Sequence, residues 1–194
     1  MSPSSDSINS DEEIAARVQR GDVAAFGMLV ERYEEKMMRY GRRFLFGADD
    51  MKDLVQDVFL KAYVNIQSFD PARRFSPWIY RIAHNEFVNA LKKKSGKELL
   101  FSFFDFDTLF PHLAAEETAD HEINNKELRK ILDQCLDKLD SKHREPLILY
   151  YYEDMDYKAI ADVLQIPIST VGVRLRRGKE MLKKVAKQLK VNYA

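Results

Sequence analysis

At 194 residues, 45% hydrophobic and 32% charged, the chain can bury two small helical cores and keep their outer faces wet. Its 31 Lys/Arg balance 31 Asp/Glu, yet the charge is segregated: residues 71–97 hold seven bases and one acid, 103–127 seven acids and one lysine, 168–190 eight bases and one acid. That order predicts two nucleic-acid surfaces separated by a segment that should not bind DNA. The single cysteine, Cys135, excludes an internal disulfide and, among Ile131, Leu132, Leu136 and Leu139, reads as a small core residue. The opening MSPSSDSINSDEE lacks the basic and apolar parts of a secretory signal, and no apolar run approaches the ~20 residues that span a bilayer. A soluble, cytoplasmic protein without membrane insertion is expected. No zinc-ligand spacing and no Gly-rich phosphate loop occur, so no metal, cofactor or catalytic site is expected.

Residues 1–9 read as disordered. Ser10 with Glu13 forms a capping-box pattern that opens a helix through about Arg20. Gly21-Asp22 breaks it, and Asp22 can cap a longer helix with Phe26, Leu29, Val30, Tyr33, Met37 and Tyr40 at helical spacing. After a loop at Phe46-Gly47, Asp49 or Asp50 starts a helix with Leu54, Val55, Val58, Phe59, Ala62 and Ile66 on one side. Asp53, Gln56, Asp57 and Lys61 lie on the other.

The next stretch, FDPARRFSPWIYRIAHNEFVNALKKK (69–94), interleaves aromatics, arginines and amides. Such a mixture suits single-stranded DNA, whose bases stack on aromatic faces while basic groups track phosphates. Phe75 and Trp78 lead a helix and could stack on bases or equally be plain core; for Trp78, followed by Ile79 and Ile82, core is the better reading. Phe69, in a loop before Asp70-Pro71, is harder to explain by packing alone. Asn85 and Asn89, one turn apart, either read base edges or are idle; His84 packs or meets solvent. Residues 97–124 mix aromatics and acids without a helical face and form the linker. Helices resume near Ile123, with Leu128, Ile131, Leu132, Cys135, Leu136 and Leu139 on one face. In REPLILYYY, Pro146 tolerates only an early helical position.

Residues 157–190 read as a helix-turn-helix. Asp156 can cap a first helix carrying Tyr157, Ile160, Ala161 and Leu164 on one face. Ile166 and Pro167 stop it, and Ser169 or Thr170 can cap the next. In that second helix Val171, Leu175, Leu182, Val185 and Leu189 form the apolar stripe. Val173, Arg176, Arg177, Glu180, Lys183 and Lys184 lie opposite. Its excess of seven positive charges is the footprint of a DNA-reading helix; a solvated amphipathic helix is the plain alternative.

The ordered set DLVQDVFLKAY (53–63), FSPWIYRIAHN (75–85) and YKAIADVLQIPISTVGVRLRRGKEML (157–182) resembles the bacterial alternative sigma factors of the extracytoplasmic-function group of the sigma-70 family. The resemblance implies an all-α, two-domain fold joined by a partly aromatic, acidic linker. A region 2 domain at 10–96 would melt and hold the −10 element. A linker at 97–124 would follow, then a region 4 domain at 125–194 reading the −35 element by helix-turn-helix. It implies that Asp53, Gln56 and Asp57 dock on the clamp helices of the largest subunit of core RNA polymerase, and that the second domain meets the flap. It places Phe69 and Asn85 at a pocket for a flipped −10 base, with Arg73, Arg74, Arg81, Asn89, Lys92 and Lys93 as further −10 contacts. On the −35 element, Thr170, Arg174, Lys179 and Lys183 are expected on the backbone, and Val173, Arg176 and Arg177 on bases. An anti-sigma factor is an expected partner. Ala159, Gln165, Gly172 and Val173 depart from the family pattern; Gln165 stands where the interhelical turn usually has glycine. Two rivals are a helix-turn-helix regulator acting without polymerase and a protein-only helical adaptor.

Overall fold

The computed structural model describes residues 10–44, 51–95 and 132–188, and no strand occurs among them. The expectations for residues 1–9, Phe46 to Asp50, the linker 97–124, Leu128, Ile131 and Leu189 lie outside the described residues. The chain divides into two compact units, 1–90 and 91–194; the helix that crosses this boundary, 75–95, is described with the first. No described helix is long and apolar enough to cross a membrane.

In the first unit α1 (Asp11–Gln19) opens on the expected capping box: Glu13 N–H donates to Ser10 Oγ at 3.2 Å, and Ser10 N–H to Glu13 Oε2 at 3.0 Å. The chain reverses at Gly21, whose φ of 99° suits a residue without Cβ. Asp22 then accepts from Ala25 N–H and opens a 3₁₀ turn, Val23–Ala25, that runs into α2 (Phe26–Phe44). Leu29, Tyr33, Met37 and Tyr40 of α2 are all buried, as their spacing predicts.

α3 (Met51–Val64) buries Val55, Val58, Phe59 and Ala62, and a 3₁₀ turn (Ile66–Ser68) leads by an exposed loop to α4 (Phe75–Ser95). Rings hold α2 to α4: Tyr33 meets Phe75 edge-on at 5.5 Å, and Tyr40 meets Tyr80 at 5.0 Å and Phe87 at 5.7 Å. Such pairs contribute about 0.5–1.5 kcal/mol each beyond the area they bury. Burial and a hydrogen bond to Asp11 push the Tyr33 hydroxyl pKa far above the ordinary tyrosine value.

The second unit contains a helical segment at 132–136, α5 (Ser141–Tyr151), α6 (Tyr157–Leu164) and α7 (Ile168–Gln188). Cys135 is fully buried, as expected of a core residue, and burial pushes its thiol pKa up. Pro146 departs from expectation: it is the sixth residue of α5, past the first turn, and is itself buried. Having no N–H, it removes one rung of the helical ladder. The helix persists because Leu147, Ile148 and Leu149 bury their side chains.

Candidate nucleic-acid interface

The helix-turn-helix is built by local rules. Asp156 Oδ1 accepts from Ala159 N–H at 2.7 Å, the expected cap of α6. The helix ends where Gln165 turns left-handed (φ 55°, ψ 44°), and the Gln165 and Ile166 N–H groups both reach Ala161 O. Pro167 cannot continue α6, and α7 begins at once at Ile168. Ser169 and Thr170 therefore lie inside its first turn and do not cap it. The Thr170 and Val171 N–H groups bond to Pro167 O at 2.9 and 3.2 Å.

α7 is positioned by Thr170, Val171, Arg174, Leu175 and Gly178, all buried. At Gly178 the helix comes so close to α5 that an added Cβ would lie 2.9 Å from Leu147 Cδ1 and 3.1 Å from His143 O. Thr170 and Arg174, expected on the DNA backbone, are only 4% and 6% exposed. At 100° per residue Arg174 falls within 60° of Val171 and Thr170 within 100°, so both are on the covered side. Arg176, Arg177 and Lys183 are exposed and Val173 is partly so, as expected. Lys179 is half-buried, its Nζ 5.5 Å from the ring centroids of Tyr150 and Tyr151. Burial opposes its charge, but hydrogen bonding to Tyr151 and electrostatic interaction with the Tyr151, Tyr157 and Tyr150 phenols outweigh that and raise its pKa. Ser169 is exposed on the face of Val173 and Arg176, at the helix start where base contacts are made, and joins the candidates.

In the first unit α4 aligns Trp78, Arg81, Asn85, Asn89 and Lys92 within about 80° of arc. Arg81, Asn89, Lys92 and Lys93 are exposed; Trp78 and Asn85 are partly exposed. Arg73 and Arg74 stand out from the preceding loop, Arg73 Nε 3.5 Å from Asp70 Oδ2. Phe69 corrects the sequence reading. It is 4% exposed, its ring edge-on to Phe75 at 5.3 Å and tilted against Trp78 at 5.4 Å. Packing does explain a large aromatic in this loop, because Phe75 and Trp78 of the next helix fold back over it. The aromatic surface left to solvent belongs to Trp78, which had been read as core.

On α3, Asp53, Gln56 and Asp57 are exposed on one face, as expected. The same stripe continues through Leu60 and Val64, 56% and 76% exposed, which sequence reading passed over. The signal was available, since both follow Asp57 at helical spacing on the polar side.

Comparison with known proteins matches residues 29–96 to the Sigma-70 region 2 family and residues 129–182 to the Sigma-70, region 4 family. The ECF RNA polymerase sigma factor SigW of Bacillus subtilis is 32% identical over 177 residues, spanning 89% of this chain and 95% of that protein. The ECF RNA polymerase sigma-E factor of Haemophilus influenzae is 31% identical over 176 residues, spanning 89% and 93%. Among solved structures, CnrH in complex with the cytosolic domain of CnrY is similar with a TM-score of 0.64 at 27% identity, covering 93% of this chain and 99% of that one. The sigma factor RpoE from Bartonella quintana, solved with the anti-sigma factor NepR, shares the fold with a TM-score of 0.62 at 24% identity, covering 87% and 98%.

Proposed function

This chain belongs to the extracytoplasmic-function group of RNA polymerase sigma factors, and on that premise we propose how its two helical units divide promoter-specific initiation. The second unit reads −35 duplex DNA through α7. Ser169, Val173, Arg176 and Arg177 meet base edges, while Lys183 meets phosphate. Thr170 and Arg174 act from beneath by holding the helix in place. The observation that carries this reading is the outward face of α7, where basic residues stand over a buried stripe and a tight turn.

The first unit captures the unpaired −10 strand along α4. Trp78 offers a ring for stacking, Phe69 supports that ring from below, and Asn85 and Asn89 present amides to a base. Arg73, Arg74, Arg81, Lys92 and Lys93 neutralise phosphates. Removing a base from the stack costs a few kcal/mol, which stacking and edge hydrogen bonds offset. The α3 face of Asp53, Gln56 and Asp57, continued by Leu60 and Val64, docks on the clamp helices of the largest polymerase subunit, and the second unit meets the flap. An apolar end beside a charged one gives that face the core and rim of a protein interface. An anti-sigma factor covers these faces when the protein is held inactive. The chain supplies specificity; bond-making chemistry belongs to core polymerase.

The test is gel filtration of the protein with core RNA polymerase and promoter DNA, followed by sequencing of transcript starts made in vitro. Co-elution with core and a common motif upstream of the starts are expected. Binding to duplex DNA without core association would favour a free helix-turn-helix regulator. Association with neither would favour a protein-only adaptor.

A further inference from the structure

α1 lies outside the matched region 2 span, 29–96, yet it holds both ends of the loop that carries the −10 arginines. The Gln19 side-chain Nε2 donates to Ile66 O and Phe69 O, both at 2.7 Å. Both partners are acceptors, so only the NH₂ end of the amide can face them. Gln67 Nε2 returns a bond to Gln19 O at 3.0 Å. On the same face, two turns back on α1, Glu12 Oε1 accepts from Phe75 N–H at 2.8 Å, at the first residue of α4. This is a helix cap supplied from 63 residues away.

We propose that α1 is a strut that positions the −10 strand-capturing loop, with Gln19 as its positioning residue; the proposal rests on the −10 reading given above. Between the two pinned ends, the loop folds on itself. Asp70 Oδ1 accepts from Ala72 N–H at 3.0 Å, and Arg73 N–H donates to Asp70 O at 2.9 Å. With Phe69 O and Phe75 N–H held, the exposed Arg73 and Arg74 stand on a fixed base. A loop ordered beforehand loses less entropy when a strand binds, and a site held loosely by an angstrom binds poorly.

The test uses the full chain with core RNA polymerase on a linear promoter fragment obtained by transcript-start sequencing, with permanganate reactivity of thymines reporting strand opening. Gln19→Met keeps the length and packing of the side chain but cannot donate, whereas Gln19→Lys restores a donor. Gln19→Met is expected to lower opening about tenfold while core association and −35 duplex binding stay within about twofold of the parent. Gln19→Lys is expected to regain most of the loss. A variant carrying Arg73→Ala and Arg74→Ala runs in parallel. If that variant opens the promoter as the parent does, the strand-contact reading of the loop falls. If it is defective while Gln19→Met opens normally, only the strut falls. Equal loss of opening, core association and duplex binding in Gln19→Met, or no recovery in Gln19→Lys, would make Gln19 a residue of the fold alone and overturn the inference.

Discussion

Gly178 and Gly172 sit on the same helix with opposite surroundings. A methyl at Gly178 would press on Leu147 and the His143 carbonyl, and overpacking of this kind costs about 1–3 kcal/mol. A methyl at Gly172 would rest 3.6 Å from Tyr157, an ordinary contact, and replacing a helical glycine recovers up to about 1 kcal/mol. Thermal unfolding should therefore show Gly178→Ala less stable and Gly172→Ala as stable or more so. Gln165 holds a left-handed conformation that costs an L-residue about 1–2 kcal/mol, so Gln165→Gly should raise the midpoint. A lower midpoint would mean that the Gln165 side chain makes up for its backbone. Asp22 has a pKa lowered first by its hydrogen bond to Arg17. A depressed carboxyl stabilises the fold above its unfolded value and stops doing so as pH falls through the folded one. Asp22→Asn, which keeps the capping oxygen, should melt earlier than the parent at neutral pH. That gap should close as pH falls below 3.8, the ordinary aspartate value.

At the scale of the element, α7 separates two kinds of arginine. Arg176 points outward, and an arginine bidentate to guanine contributes about 1–3 kcal/mol of discrimination. Arg176→Ala should weaken binding to the cognate −35 duplex selectively in a fluorescence titration. Lys183→Ala should instead weaken all sequences alike and reduce the salt slope by about one. Equal loss on scrambled DNA for Arg176→Ala would reassign it to phosphate. Arg174→Ala, inside the fold, should act through stability and lower the melting midpoint.

For the whole molecule, the α3 face and the α7 face lie in different units and share no residues. Distant sites without common partners contribute additively. Asp57→Arg should abolish co-elution with core polymerase while −35 duplex binding and helical circular dichroism persist, since surface substitutions usually stay within about ±0.5 kcal/mol. Leu60→Asp should reproduce the docking loss, because it removes the apolar end of the same stripe. Undiminished co-elution of both variants would move docking off α3.

The helical faces, the Ser10 and Asp156 caps and the turn before α7 were legible in the sequence because they depend on neighbours within a few residues, whereas the cap expected from Ser169 or Thr170 was not formed. The Ser10–Glu13 box, the Asp156 cap and the Leu29, Tyr33, Met37, Tyr40 stripe follow from a period of 3.6 and short side-chain reach. The exposed basic face of Arg176, Arg177 and Lys183 followed from the same geometry. Tertiary packing decided the rest. Periodicity says which residues share a side, but the width of the covered side depends on what packs there, and that put Arg174 and Thr170 inside. Phe69 turned inward because Phe75 and Trp78 close over it, and Trp78 was left partly exposed. The bonds that tie Gln19 and Glu12 to Ile66, Phe69 and Phe75 join residues 47 to 63 positions apart, so no local pattern announces them.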